Sequence, residues 1–203
     1  DAADGASLGR SADDLAAALR ALPGATDLDM LRGLEGEAAR QYFAGLNRVV
    51  RLDARATFQM DGRTRRPPRD RMNALLSFLY SMLMNDCRSA LEAAGLDPQV
   101  GFLHALRPGR AALALDLMEE FRAIADRLAL TLINRGQIGA GDFVEREGGA
   151  VLLEGDARKA VVVAWQERSL RRKHLSLALR ALPPLSAMEE LLFQYIIAGF
   201  ALL

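Results

Sequence analysis

The chain has 203 residues, 51% of them hydrophobic, and its 26 basic residues balance its 26 acidic residues. This length accommodates one domain with a sizeable core, or at most two small ones. Zero net charge excludes a global field that attracts nucleic acid or membrane, so any such binding depends on local charge clusters.

A single cysteine, Cys87, excludes an internal disulfide and any multi-cysteine zinc or iron–sulfur site. It lies in an apolar helical run, which predicts a buried packing residue rather than a nucleophile. The N-terminus lacks the pattern of a signal peptide. The apolar run over 191–203 is shorter than the about 20 residues that a membrane span needs. We therefore expect a cytoplasmic protein with no membrane segment.

Ala and Leu dominate the chain, which favours helices. Ser11 is a suitable N-cap for a first helix over 11–22, and a second helix over about 27–51 has regular apolar spacing. Gly33 and Gly36 flank Glu35 in the second helix, which indicates close backbone packing or a bend. The charge-rich segment 52–69 is predicted to be a loop.

Further helices are predicted after this loop, and glycine or proline ends most of them. Gly148-Gly149 indicates a hairpin within 143–153. The predicted elements are helices over 70–95 and 111–135, a short helical turn over 139–143, a helix over 156–182 and a last helix from Ser186. The expected fold class is all-α with one small β-hairpin, in a single domain over 1–203.

Three polar side chains stand out from this apolar background. His104 ends the run Gly101-Phe102-Leu103-His104, and Asp116 and Glu119 lie three residues apart on the following helix. Residues at this spacing share a helix face. One imidazole and two carboxylates form a plausible divalent-metal site. Taken singly, His104 is more often a structural histidine than a ligand, and Asp116 and Glu119 are more often ordinary acids near a helix start.

Four segments in order resemble the CRISPR-associated integrase family, the metal-dependent DNA endonuclease that inserts spacers into CRISPR arrays (CRISPR-associated protein one). They lie at 31–43, which contains Glu35-Gly36-Glu37-Ala38-Ala39-Arg40; at 66–77; at 101–104 with the Gly109-Arg110 turn; and at 113–122, which contains Asp116-Leu117-Met118-Glu119. The resemblance covers about 10–168 and matches the family's helical C-terminal domain. The family's smaller N-terminal β-rich domain has no counterpart here, and 169–203 diverges.

The resemblance implies that Glu35, His104 and Glu119 bind a catalytic Mn²⁺ or Mg²⁺, with Asp116 in a supporting role. Such an ion suits a site rich in oxygen ligands with one imidazole. The resemblance also implies a homodimer that works with DNA and with CRISPR-associated protein two.

DNA binding near such an ion requires positive charge. The candidate phosphate contacts are Arg63, Arg65, Arg66, Arg69, Arg71 and Arg110. A solvated surface is the other explanation for this cluster.

Two rival functions remain. The chain can be a non-catalytic helical DNA-binding or dimerisation module that keeps the fold without the activity. It can also be a different helical metalloenzyme, but the paired E-x-x-H motifs of di-iron bundles and the H-E-x-x-H motif of zinc proteases are missing.

Overall fold

The computed structural model describes residues 2–104 and 107–171. Six α-helices and one two-stranded sheet lie within them: α1 (Ala2–Ala21), α2 (Leu28–Val49), α3 (Leu52–Phe58), α4 (Arg71–Ala93), α5 (Ala112–Asn134), β1 (Phe143–Arg146), β2 (Ala150–Leu153) and α6 (Gly155–Arg171). The all-α fold with one hairpin is confirmed. The end of the helix predicted over 156–182, the helix predicted from Ser186 and most of the tail over 169–203 lie outside the described residues.

The chain divides into two compact units, Asp1–Arg158 and Lys159–Leu203, with the boundary inside α6. The first unit contains every element from α1 to β2. The described part of the second unit is the remainder of α6, in which Val161 and Trp165 are buried. That 1–203 is a single domain stays a prediction.

The core of the first unit lies along α4, which packs most extensively against α5. Leu75, Leu76 and Leu79 of α4 are fully buried, and the small residues Ala125 and Ala129 of α5 are fully buried as well. Asp70 begins α4 as predicted, because its carboxylate accepts the backbone N–H of Asn73 at 2.7 Å. This cap satisfies a donor that a helix start leaves without an internal partner.

The first helix is longer than its N-cap signal predicted, since α1 begins at Ala2 rather than near Ser11. The Ser11 hydroxyl donates to the Ser7 carbonyl within the helix, so Ser11 is not a cap. Asp4, which is buried, explains the extension. Its carboxylate pairs with Arg48 at 3.2 Å and Arg55 at 3.0 Å, and these ion pairs fix the start of α1 against α2 and α3.

The prediction of an uninterrupted loop over 52–69 is wrong, because α3 occupies Leu52–Phe58. Tertiary contacts account for this helix. The backbone N–H of Arg51 donates to the Asn134 side chain at 2.9 Å, and the buried Phe58 ring meets the Phe143 ring edge-on. The segment is rich in charged residues, so its composition does not indicate these contacts.

The predicted hairpin is confirmed, with β1 and β2 antiparallel and Phe143 opposite Leu153. Gly148 and Gly149 both adopt positive φ in the turn, a conformation that glycine adopts without strain. The backbone N–H of Val151 donates to the Pro68 carbonyl at 2.9 Å. This bond joins the hairpin to the end of the charge-rich segment 52–69, which precedes α4.

Cys87 is buried in α4, as predicted. Burial, with a smaller contribution from the Asp86 charge, raises the pKa of its thiol to about 11. None of the described helices is long and apolar enough to cross a membrane.

Candidate active site

The carboxylate of Asp116 organises the loop that carries His104. Asp116 lies in the second turn of α5 with its side chain buried, and its Oδ2 accepts the backbone N–H groups of Phe102 at 2.7 Å and Leu103 at 3.1 Å. Its Oδ1 accepts the backbone N–H of His104 at 3.0 Å. Three successive N–H groups therefore wrap one carboxylate.

Gly101 permits this wrapping. A Cβ atom at this position would lie 2.7 Å from the carbonyl carbon of Ala112 and 2.7 Å from Oδ2 of Asp116. Real Cβ atoms do not approach backbone so closely, so any side chain would push the loop away from α5. The glycine that opens the 101–104 motif is required by this close approach.

The same carboxylate also orients the imidazole of His104. Nδ1 lies 2.6 Å from Oδ1 of Asp116. Burial by itself would raise the pKa of Asp116, but the hydrogen bonds from the His104 ring and from the loop backbone outweigh burial and lower it. An ionised carboxylate only accepts, so Nδ1 carries a proton, and Nε2 is the ring nitrogen that is left to bind a metal when the imidazole is neutral. This is the arrangement in which a histidine serves as a metal ligand.

His104 opens onto a pocket of about 400 Å³ between α2 and the loop. Glu35 lines the same pocket from an exposed position on α2, and the other lining residues are Arg32, Leu103, Arg107 and Arg110. Arg32, one turn before Glu35, donates to the Leu103 carbonyl at 3.4 Å. This bond ties the helix that carries Glu35 to the loop that carries His104.

Glu119 lies one turn beyond Asp116 on α5 and is only partly exposed. Burial raises its pKa, and the opposing charge of Arg122, whose Nη2 lies 2.5 Å from Oε1, reduces that effect. The charge of Glu35 raises the pKa further, whereas His104 lowers it. The three predicted ligands therefore lie within electrostatic reach of one another, although they come from three separate elements.

The side chains of Glu35, His104 and Glu119 are not gathered around one point. Among the described residues, no three His, Cys, Asp or Glu side chains form a group that could hold a metal ion. Glu119 is engaged with Arg122, and the exposed Glu35 makes no hydrogen bond or ion pair with any residue that the structure describes.

The predicted arginine cluster does not form one surface. Arg63 turns inward, where its guanidinium donates to Asn73 at 2.7 Å and Ser77 at 3.0 Å and lies over the Tyr80 ring. Arg69 donates to the Gly148 carbonyl in the hairpin turn, and Arg71 donates to the Thr57 carbonyl at 3.4 Å. These three side chains hold the segment in place.

The remaining predicted arginines are not held in this way. Arg65 and Arg66 are exposed, and the charge of Arg65 acts on Glu119. Arg110 lines the pocket with Glu35 and His104. Arg32 and Arg107 also line it but were not among the predicted residues. Their position in the sequence could have indicated this role, since each lies three residues from a predicted ligand.

A buried hydrogen-bond network links the helices that carry the two glutamates. The carboxylate of Asp126 on α5 accepts the hydroxyl of Tyr42 on α2 at 2.6 Å and the hydroxyl of Tyr80 on α4 at 2.5 Å. The guanidinium of Arg122, the partner of Glu119, lies over the Tyr80 ring at 5.3 Å. Asp126 was not among the residues predicted from the sequence.

Of the two explanations predicted for Gly33 and Gly36, close backbone packing or a bend, the close packing is absent. A Cβ atom at either position would meet no atom within 4 Å. The helix face around Glu35 is therefore open.

Comparison with known proteins identifies the family. A family model described as "CRISPR associated protein Cas1" matches residues 1–167. The chain belongs to the Cas1 family. A CRISPR-associated endonuclease Cas1 of Moorella thermoacetica is 60% identical over 166 residues, which cover 81% of this chain and 48% of that relative.

Solved structures of the Cas1 family and its neighbours share this fold. A partial Cas6-RT-Cas1–Cas2 complex matches with a TM-score of 0.71 at 33% identity, covering 79% of this chain and 48% of that chain. A casposase bound to integration product matches with a TM-score of 0.68 at 26% identity, with the same coverages of 79% and 48%. The present chain spans about half the length of the curated Cas1 relatives it matches.

Proposed function

We propose that this chain is the catalytic part of a CRISPR adaptation integrase, a divalent-metal-dependent DNA endonuclease that transfers or hydrolyses phosphodiesters. The observation that carries the proposal is the His104–Asp116 pair, which holds the His104 imidazole at a pocket that Glu35 and three arginines also line. Family membership supports the same activity, since curated relatives are named CRISPR-associated endonuclease.

Glu35, His104 and Glu119 are the proposed ligands of Mn²⁺ or Mg²⁺. One oriented imidazole with two carboxylates is a donor set suited to these ions. Glu35 is exposed, so its side chain can rotate toward an ion, and a cation would compete with Arg122 for the Glu119 carboxylate. When bound, the ion supplies charge stabilisation for the phosphate oxygens and activation of the attacking hydroxyl.

The protein's own residues carry out the remaining tasks. Asp116 fixes the tautomer and orientation of His104. Arg32, Arg107 and Arg110 supply the positive charge that a DNA phosphate needs on entering the pocket. We assign Arg65 and Arg66 to backbone contacts as well, because both are exposed. Such contacts position DNA without reading its sequence.

We further propose the assembly and location typical of such an enzyme. Solved neighbours include a complex whose name contains both Cas1 and Cas2, and a casposase bound to integration product. By analogy, the proposed partners are DNA, a Cas2-type protein (CRISPR-associated protein two) and a second copy of this chain, in the cytoplasm. The alternative is a non-catalytic DNA-binding or dimerisation module with the same fold.

Alanine substitution with a matched control separates these two functions. His104→Ala and Glu119→Ala should each abolish Mn²⁺-dependent cleavage or strand transfer on DNA and weaken Mn²⁺ binding measured by calorimetry. Glu120→Ala removes the adjacent exposed carboxylate on α5 and should leave both intact. Retained activity in both test variants rules out His104 and Glu119 as the ligands. No Mn²⁺ binding and no activity in the unmodified chain support the non-catalytic module instead.

The DNA-contact assignment has its own test. Charge reversal at Arg65 or Arg110 should lower DNA affinity and flatten its salt dependence by about one phosphate contact each. Arg20→Glu, at an exposed arginine on α1, is the control. An unchanged salt slope at Arg65 and Arg110 excludes both from phosphate binding.

A further inference from the structure

The guanidinium of Arg122 holds the Glu119 carboxylate by one of its two oxygens. Nη2 of Arg122 donates to Oε1 at 2.5 Å. Within the described part of the chain, no second hydrogen bond reaches this carboxylate. The two residues lie three positions apart on α5 and therefore share a helix face. The carboxylate thus has one oxygen that is fixed by the protein and one, Oε2, that is left for another partner.

Arg122 is itself supported from its other side. Its side chain is only 16% exposed, and its guanidinium carbon lies 5.3 Å from the centre of the Tyr80 ring on α4. Tyr80 is buried, and its hydroxyl donates to Asp126. A cation over an aromatic face is attracted more strongly where water is excluded than at an exposed surface. The core of the protein therefore fixes the guanidinium that contacts Glu119.

An ion at Glu119 can displace Arg122 or share the carboxylate with it. Displacement would separate a mostly buried guanidinium from the one carboxylate that it bonds among the described residues. Nε of the same side chain is already buried without a hydrogen-bond partner there. A buried charge that loses its partner is strongly destabilising. Sharing breaks no bond, because the ion takes Oε2 while Arg122 keeps Oε1, so the competition between the two cations favours sharing.

His104 shows the same division between an oriented atom and a free one. Its Nδ1 is held by Asp116, which leaves Nε2 for a metal. We propose that Arg122 is the positioning residue of Glu119, as Asp116 is of His104, and that it fixes Oε1 so that Oε2 is left to a divalent ion. This inference rests on the proposed function and deepens it, because it names the group that orients a second ligand. Arg122 acts through Glu119 and touches no reacting atom.

The test measures Mn²⁺ binding to the full chain by calorimetry. Arg122→Met keeps most of the apolar stem but removes the charge and the donors, and it should weaken Mn²⁺ binding by about 10–100-fold. Arg122→Lys, which restores a charged donor, should recover most of the affinity. Arg127→Met is the matched control, since it removes an exposed arginine from the same helix, and it should bind Mn²⁺ normally. If Arg122→Met does not fold, Arg122→Gln takes its place with the same expected loss.

A double variant separates positioning from a general structural role. In the Glu119→Ala background, the further change Arg122→Met should alter Mn²⁺ affinity by less than about twofold, because the group that it orients is already gone. An equal loss of affinity with and without Glu119 would show that Arg122 supports the site in some other way, and the positioning proposal would be overturned. Thermal unfolding without Mn²⁺ shows whether each variant is folded.

The remaining outcomes separate this inference from the proposed function. A higher Mn²⁺ affinity in Arg122→Met would mean that the ion displaces the arginine, which overturns sharing. Normal Mn²⁺ binding in Arg122→Met, together with lost binding in His104→Ala, refutes the positioning role and leaves the proposed function intact. If the unmodified chain binds no Mn²⁺, the proposed function fails and this inference fails with it.

Discussion

The hydroxyl of Tyr42 donates to the carboxylate of Asp126 at 2.6 Å, and each residue lies seven positions after a proposed metal ligand. Tyr42 follows Glu35 on α2, and Asp126 follows Glu119 on α5. Residues seven apart lie two turns along the same helix face. The bond therefore fixes the register of α2 against α5 two turns from the level of the glutamates.

Tyr42→Phe should make the alignment of α2 against α5 less rigid. We expect a loss of stability of about 1–3 kcal/mol, because a buried carboxylate loses a donor, together with weaker Mn²⁺ binding. Tyr80→Phe is the matched control, since it removes the other donor to Asp126 from α4, which carries no proposed ligand. Urea unfolding and calorimetry measure the two effects. Equal effects of the two variants on Mn²⁺ affinity would show that the register does not matter to the site.

Asp126 should make the stability of the protein depend on pH. Burial raises its pKa above the ordinary 3.8, although the hydrogen bonds from Tyr42 and Tyr80 oppose this rise. The folded state binds the proton of Asp126 more tightly than the unfolded state does. The stability that this protonation contributes is therefore fully present below pH 3.8. It is lost as the pH rises through the folded-state pKa. The stability advantage of the unmodified protein over Asp126→Asn should therefore be larger near about pH 4 than near about pH 7. An advantage that grows with pH contradicts this assignment.

Asp116→Asn should weaken metal binding by about 10–100-fold, the usual effect of removing the partner that orients a ligating histidine. The amide also turns an NH₂ group toward N–H donors of the loop, so the loop should loosen. Mn²⁺ affinity measured by calorimetry tests this, with Glu120→Gln as the control on the same helix. Unchanged affinity in Asp116→Asn would mean that His104 is oriented without the carboxylate.

Two glycines should respond to alanine with opposite signs. Gly101→Ala should destabilise the fold by about 1–3 kcal/mol through its collision with Ala112, as overpacking does. Gly36→Ala should stabilise it by up to about 1 kcal/mol, since it lies in a helix interior with open space around it. Urea unfolding measures both. A stability loss at Gly36 would show that the open face is covered in solution.

Local sequence signals predicted most of the fold. Asp70 before a long apolar run, Gly95 after it and the Gly148-Gly149 pair determine element ends through capping and positive φ, and these depend only on neighbouring residues. Helix α3 and the start of α1 were mispredicted because distant partners stabilise them. Phe58 depends on the hairpin ring Phe143, and Asp4 depends on Arg48 and Arg55.

For the site, the sequence by itself determined the family, the order of the motifs and the residue types able to bind a metal. Only the tertiary structure decided which arginines face the pocket, because Arg63 and Arg110 differ in their neighbours and not in their chemistry. It also decided the role of Asp116, since its four donors come from a loop twelve to fourteen residues away. Hydrogen bonds and burial between distant segments are set by packing, and no local pattern of residues records them.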